Sequence, residues 1–109
     1  HTLSRRQRHM CIRDRSKGAL NTMTKSMARN LGPIRVNAIC PGFIQGDWLK
    51  KGMGDDLYNA AKENLTSSTP LKLTVTPEQV AEGIYNFIEI SKVVTGETML
   101  MDGGHHLIV

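Results

Sequence analysis

Two strand-like segments separated by helical sequence constrain this chain more than any other feature. IRVNAIC, residues 34–40, is rich in β-branched residues, and TMLM, residues 98–101, is the second such segment. Because the connection between them is long and carries helices, the two strands are predicted to run parallel. Parallel strands normally lie buried inside larger sheets, and a two-stranded sheet is marginal by itself. The sequence therefore predicts an α/β fold whose sheet needs strands that the 109 residues do not supply.

Helical patterns surround the two segments and predict the order helix, strand, helix, helix, strand. The first helix is predicted from a capping serine, Ser16, to Leu31, and Gly32 with Pro33 ends it. Asp47–Leu65 is a weaker helical region that Gly52 and Gly54 divide. Thr76 opens the last helix with a proline at the first helical position and a glutamine placed for a capping box. The apolar faces predicted to be buried are Ala19, Leu20, Met23, Met27, Ala28 and Leu31 in the first helix, and Val80, Ala81, Ile84, Phe87 and Ile88 in the last.

Length and composition predict one modest domain and exclude several classes of protein. Apolar residues make up 39% of the 109 residues, which is near the globular norm, so neither a disordered chain nor a membrane protein is indicated. No apolar run approaches the roughly 20 residues that span a bilayer, and no secretion signal is recognisable. Cys11 and Cys40 lack a zinc or redox spacing and are expected to be free thiols. A cytoplasmic location is the expectation.

The positive charge is concentrated at the beginning of the chain. Residues 1–15 carry five arginines against one aspartate, whereas residues 16–109 carry nine basic and nine acidic side chains. No helical or alternating apolar period is visible in residues 1–15, so they are predicted to be a basic leader that is disordered or foreign to the domain. A genuine flexible arm is the alternative. A nucleic-acid footprint spread over the folded surface is not expected.

Two longer segments carry a specific resemblance. SKGALNTMTKSMARNLGPIRVNAICPGFI, followed at a distance by VTGETMLMDGG, resembles the C-terminal part of the short-chain dehydrogenase/reductase family. The resemblance covers nearly all of residues 16–107, and residues 16–109 are therefore assigned to that domain. It implies the C-terminal portion of a Rossmann-type doubly wound parallel sheet and NAD or NADP as cofactor.

The resemblance implies a catalytic and cofactor-binding role for Lys17, and it breaks down one helical turn earlier. The family places a tyrosine four residues before the lysine, where a nearby ammonium favours the phenolate and brings its proton within reach of neutral pH. This chain has Arg13 there. A guanidinium stays protonated and cannot exchange a proton with substrate. Since losing a general acid typically costs about 10²- to 10⁴-fold in rate, little or no activity is expected from the chain alone.

The loop after the first strand carries the remaining residues that the resemblance assigns to the cofactor. Pro41, Gly42, Phe43 and Ile44 match the family's loop whose main-chain groups, notably at the Ile44 position, meet the nicotinamide carboxamide. Ligands bind open α/β sheets at the carboxyl ends of their strands, which agrees with this position. The family often carries a threonine where Gly46 stands, so a hydroxyl contact to the cofactor is missing here.

Other conspicuous residues have simpler interpretations. Asn37 is expected to be a structural hydrogen-bonding residue, and His105 with His106 is expected to be a tail with no metal, because adjacent histidines diverge and no third ligand is near. Trp48 and Met53 fall in the region that covers substrate in the family, with a surface helix as the alternative. Four methionines are expected to fill the core: Met23, Met27, Met99 and Met101.

Three functions remain open at this stage. The first is an oxidoreductase that transfers hydride between NAD(P) and a small carbonyl or alcohol substrate, with a homodimer or homotetramer as the parent assembly. The second is nucleic-acid binding through the arginine-rich leader. The third is a non-catalytic relative that kept the scaffold for assembly, since the resemblance places the helix Ser16–Leu31 among those that pair across subunits.

Overall fold

The computed structural model describes the backbone of residues 5–108 and the side chains of residues 18–108. Within the described residues, four α-helices and two strands follow one another, with the predicted helical region 47–65 divided into two helices, and a short helical turn follows each of α4 and β2. The elements are α1 (Arg5–Asn30), β1 (Ala38–Pro41), α2 (Asp47–Met53), α3 (Asp55–Ser68), α4 (Pro77–Tyr85), a π-helical turn (Asn86–Ile90), β2 (Thr98–Met101) and a 3-10 turn (His105–Leu107).

The two strands form a parallel pair, as the sequence predicts. The Ala38 N–H donates to the Glu97 carbonyl at 2.9 Å, and the Gly42 N–H donates to the Met101 carbonyl at 3.0 Å. Because both bonds join residues with the same separation in sequence, the strands run in the same direction. β1 is shorter than the predicted strand 34–40. Before β1, the Val36 N–H donates to the Thr95 hydroxyl at 3.1 Å, and the Val36 carbonyl accepts the Gly96 N–H at 2.7 Å.

Helix α1 begins eleven residues earlier than the predicted start at Ser16, which is therefore wrong. The helix continues back to Arg5 and includes residues 5–15. This part of the leader contains neither glycine nor proline and is rich in arginine, a good helix former. A serine cap ends a helix only where the preceding residues leave the helical conformation, and here they do not. The foreign origin of the leader stays a prediction.

The apolar face predicted for α1 is not buried by the described residues. Met23 is 53% exposed, and Leu20, Met27 and Leu31 are also exposed, so the expectation that Met23 and Met27 fill the core is wrong here. Thr24 is the buried residue, and its hydroxyl donates to the Leu20 carbonyl at 2.7 Å. A two-stranded sheet offers too little apolar surface to cover a helix face of this length.

Asn37 has the structural role predicted for it. Its side-chain Nδ2 donates to the Val94 carbonyl at 2.9 Å, and its Oδ1 accepts the Glu97 N–H at 3.0 Å. These two bonds connect the segment just before β1 to the segment just before β2. The amide thus supplies both a donor and an acceptor to main-chain groups that would otherwise lack partners.

The boundaries of α2, α3 and α4 follow local signals in the sequence. Gly54, with φ of 85°, ends α2 and begins α3. The capping box of α4 is present, because the Thr76 hydroxyl accepts the Gln79 N–H and the Gln79 side chain accepts the Thr76 N–H. The predicted burial of Ile84 and Ile88 is wrong, since both are exposed. Buried Gly83 lies against the Met101 side chain instead, so a Cβ at this position would require the Met101 thioether to move.

Contacts divide the chain into two compact units. One contains residues up to Ala38 together with Val93–Thr98, and the other contains Ile39–Lys92 together with residues from Met99 onward. The candidate loop Pro41–Ile44 and helices α2, α3 and α4 belong to the second unit. Within the described part of the chain, no helix combines the length and apolarity needed to cross a membrane.

Candidate functional site

The loop that the resemblance assigns to the cofactor begins at the carboxyl end of β1 with a position that requires glycine. A Cβ on Gly42 would lie 2.9 Å from the Cβ and 3.1 Å from the Cα of Asp102. Real Cβ atoms do not approach a backbone this closely, so the chain passes Asp102 only because residue 42 has no side chain. The predicted loop residues Pro41, Gly42, Phe43 and Ile44 are therefore held close to the end of β2.

The same loop pairs with Val75 in a way that leaves the main chain of Ile44 unused. The Val75 N–H donates to the Phe43 carbonyl at 3.0 Å, and the Gln45 N–H donates to the Val75 carbonyl at 2.8 Å. This is a parallel bridge between Ile44 and Val75. In such a bridge the neighbours of Ile44 make the bonds, and its own N–H and C=O face the opposite side. Neither group makes a hydrogen bond to another described residue.

Two side chains that the sequence analysis missed hold this loop. Tyr58 of α3 is 7% exposed; its hydroxyl accepts the Gly46 N–H at 3.1 Å, and its ring lies 5.4 Å from the Phe43 ring. Gln45 donates through Nε2 to the Thr74 hydroxyl at 2.6 Å. Their partners lie between 12 and 29 residues away in sequence. No local motif reveals these contacts, because they depend on how segments that are distant in sequence are aligned in the fold.

Lys17, the predicted catalytic and cofactor-binding residue, lies within α1, but its side chain is outside the described residues, as is that of Arg13. The backbone places residues 13 and 17 one helical turn apart, as the sequence analysis assumed. The proposed roles of both side chains therefore depend on the resemblance alone.

The residues of α2 that the resemblance places near substrate are found at the surface. Trp48 is 86% exposed, and Met53 is half-buried. In the described chain, Trp48 thus corresponds to the alternative interpretation, a surface helix. Met53 stays a prediction.

Asp102 organises the C-terminal turn through its carboxylate. Its carboxylate accepts the N–H groups of Gly104 at 3.1 Å and of His106 at 2.9 Å, and it also contacts the His106 Nδ1 at 2.8 Å. Burial raises the pKa of Asp102, but the side-chain bond to His106, the two backbone bonds and the His106 charge outweigh it and lower the pKa overall. A turn of this kind could have been anticipated from an aspartate followed by two glycines.

A cavity of about 410 Å³ lies elsewhere in the second unit, between α4, β2 and the C-terminal turn. Its lining is mainly apolar, with Glu82, Asp102 and His106 among the polar residues, and it does not include the predicted loop residues. Among the described residues, no three His, Cys, Asp or Glu side chains come together as metal ligands. Cys40 is a free thiol.

Comparison with known proteins decides the family. The family model described as enoyl-(acyl carrier protein) reductase matches residues 4–106. The chain belongs to the short-chain dehydrogenase/reductase family. The predicted membership and the predicted α/β fold are thus confirmed, since a crystal structure of a small-chain dehydrogenase in complex with NADPH matches with a TM-score of 0.74. That structure is 33% identical in sequence, and the match covers 83% of this chain and 40% of the other.

Curated short-chain dehydrogenases and reductases give the same result. The NADH-dependent enoyl-[acyl-carrier-protein] reductase of Bacillus cereus is 34% identical over 96 residues, which are 85% of this chain and 36% of the relative. The 3-oxoacyl-[acyl-carrier-protein] reductase of Rickettsia bellii is 36% identical over 92 residues, which are 82% and 36% of the two chains. The chain therefore spans little more than a third of the length of these relatives. The cofactors named for two of these matches, NADH and NADPH, are those that the resemblance predicts.

Proposed function

We propose that this chain is part of an oxidoreductase that transfers hydride between NAD or NADP and a small carbonyl or alcohol substrate. Its contribution is the nicotinamide-contacting loop Pro41–Ile44 together with Lys17. The observation that carries the proposal is the main-chain pair of Ile44, one donor and one acceptor on the same side of the chain just after β1, to which no other described residue hydrogen-bonds.

The unused pair fits the chemistry of a nicotinamide. A carboxamide carries one carbonyl acceptor and an NH₂ donor, so it can accept from the Ile44 N–H and donate to the Ile44 C=O. The loop is held by the Val75 bridge and by Gly42, so little conformational entropy is lost when these bonds form. When bound, the cofactor supplies the hydride chemistry, while this chain orients the ring through Ile44.

A titration that separates the two ends of the cofactor tests this proposal. The isotopically labelled chain is titrated with reduced nicotinamide mononucleotide, and the amide and carbonyl resonances of Ile44 are followed by NMR. The shifts at Ile44 are expected to saturate with the mononucleotide and to be absent with ADP-ribose, which lacks the nicotinamide. Equal shifts with both ligands, or none with either, would contradict the assignment.

The chain by itself is proposed to be inactive. Arg13 stands where the family has the proton-donating tyrosine, and a guanidinium cannot supply that proton at useful pH. NADH or NADPH oxidation measured with a panel of ketones and aldehydes is expected to stay at the background rate. Sustained turnover would show that the missing phenol is not needed.

The two rival functions make different predictions for the same material. A nucleic-acid-binding role requires that deleting residues 1–15 abolish salt-sensitive binding to DNA or RNA, whereas the redox proposal expects that deletion to leave the Ile44 shifts unchanged. A homodimer or homotetramer of the whole protein is proposed as well, supported by the exposed apolar residues Leu20, Met23 and Met27 of α1 and Leu31 just after it. Light scattering tests the assembly, and cofactor titration separates a scaffold from an enzyme. A cytoplasmic location is part of the same proposal.

A further inference from the structure

One side chain of helix α3, that of Tyr58, contacts the candidate loop both before and after Ile44. The Tyr58 ring packs against Phe43, the residue before Ile44, with centroids 5.4 Å apart and the planes tilted by 42°. The Tyr58 hydroxyl accepts the N–H of Gly46, two residues after Ile44, at 3.1 Å. Tyr58 is 7% exposed whereas Gly46 is exposed, so the hydrogen bond between them is part-buried.

A second set of contacts holds the opposite side of the loop. Buried Val75 bonds to the main chain of Phe43 and Gln45, and the Gln45 side chain donates to the hydroxyl of buried Thr74. The two sets together use main-chain groups of residues 43, 45 and 46 and none of Ile44. Fixing the neighbours while sparing the central residue keeps the Ile44 peptide groups in one direction and available to a ligand.

We propose that Tyr58 is a positioning residue for the nicotinamide-contacting loop, acting through Phe43 and Gly46 to orient the main chain of Ile44. This inference rests on the proposed function for its ligand. It assigns to α3 a role in holding cofactor through the loop, although no atom of Tyr58 need touch the nicotinamide.

The substitution Tyr58→Phe isolates the hydroxyl. It keeps the ring against Phe43 and removes the acceptor of the Gly46 N–H, a bond whose net loss corresponds to about 2- to 10-fold in an equilibrium constant. Tyr85→Phe is the matched control, because Tyr85 is exposed on α4. Phe43→Leu is the second variant; it removes the ring pair and leaves the hydroxyl bond, so the proposal stays testable if Tyr58→Phe does not fold.

The first measurement needs no ligand. Amide hydrogen exchange at Gly46, followed by NMR in the full chain, is expected to accelerate by about 3- to 10-fold in Tyr58→Phe and to be unchanged in Tyr85→Phe. The Leu71 amide, which donates to the Gly103 carbonyl at 3.0 Å, is the internal reference and is expected to keep its rate. An unchanged rate at Gly46, or equal acceleration at Leu71, would overturn the proposed clamp.

The second measurement distinguishes positioning from general stabilisation. The affinity for reduced nicotinamide mononucleotide, read at Ile44, is expected to fall about 3- to 10-fold in Tyr58→Phe. Thr69→Val is the comparator, because buried Thr69 bonds through its hydroxyl to the main chain of Leu73 and not to the loop. Its affinity is expected to stay at the wild-type value even if its stability falls. Equal loss of affinity in both variants would overturn a specific role for Tyr58.

The two measurements also separate failure of this inference from failure of the proposed function. If the wild-type chain shows no nicotinamide-dependent shift at Ile44, the proposed function fails and the positioning role falls with it, whatever the exchange rates are. If wild type shows the shift and Tyr58→Phe binds as tightly as wild type, the positioning role alone is overturned.

Discussion

The loop Gly42–Gly46 and helix α1 illustrate two different ways in which a family assignment can be supported. In the loop, contacts within the chain fix the main chain: Gly42 passes against Asp102, Val75 brackets Ile44, and Tyr58 holds Gly46. Along the described part of α1, Leu20, Met23 and Met27 are exposed, and Thr24 is the only buried residue. The loop geometry is therefore a property of the described residues, whereas the role of α1 depends on the resemblance.

The two parts of the proposed site therefore rest on different kinds of support. The loop presents a donor and an acceptor in a fixed direction, and that arrangement suits a carboxamide whatever its family. The side chain of Lys17 lies outside the described residues. The chemistry assigned to it depends on the resemblance alone.

The largest expected effect comes from replacing a glycine of the loop with alanine, and the same replacement in α1 gives the comparison. Gly42→Ala forces a Cβ to within 2.9 Å of Asp102 and is expected to lower the free energy of unfolding by about 2 to 3 kcal/mol. Gly18→Ala in α1 meets no atom within 4 Å and is expected to raise it by about 0.5 to 1 kcal/mol. Urea denaturation followed by circular dichroism measures both. Effects of the same sign would contradict the structural difference.

The second largest expected effect concerns Asp102, which lies against Gly42, and it depends on pH. The pKa of Asp102 is lowered in the folded chain, so its stabilising contribution is complete above the ordinary aspartate value near 3.9 and is lost as the pH falls through the folded-state value. Asp102→Asn is expected to lose about 1 to 2 kcal/mol at pH 7, because its amide offers one acceptor instead of a carboxylate that is 11% exposed.

The difference between Asp102→Asn and wild type is expected to shrink in acid, as measured by urea denaturation from pH 7 to pH 3. Glu63→Gln, an exposed position on α3, is the control and is expected to stay within about 0.5 kcal/mol of wild type at pH 7. A constant difference between Asp102→Asn and wild type at every pH would show that the carboxylate charge contributes nothing.

The smallest expected effect concerns α1. Met23 is 53% exposed, so Met23→Gln is expected to change the free energy of unfolding of this chain by less than about 0.5 kcal/mol. Urea denaturation of the two chains measures it. A loss above about 1.5 kcal/mol would show that the α1 face is buried in solution and that the two regions do not differ.

Local signals account for the parts of this structure that the sequence could predict. The capping box at Thr76 and Gln79, the break at Gly54 and the parallel direction of the strands all follow from patterns within a few residues or from the length of a connection. The family could be identified because its motifs lie in order along residues 16–107. The resemblance, rather than periodicity, supplied the loop residues Pro41–Ile44.

Two features that the sequence did not predict, the pairing of Val75 and the burial of Tyr58, depend on partners far away in sequence. A third, the early start of α1, depends on the absence of a helix-breaking residue. Val75 pairs with a loop residue 31 positions earlier, and no pattern near either residue fixes that register. Tyr58 is not among the residues predicted to be buried, yet it is buried and contacts Phe43 and Gly46. The predicted start of α1 rests on a capping serine, whereas no glycine or proline interrupts residues 5–15 before it.

The most direct test of the central claim is an intermolecular nuclear Overhauser measurement between the carboxamide protons of reduced nicotinamide mononucleotide and the labelled chain. The account predicts contacts to the amide and α-protons of Ile44 and to its neighbour Phe43. Contacts confined to the cavity lined by Leu71, Met99 and Met101, with none at Ile44, would contradict it.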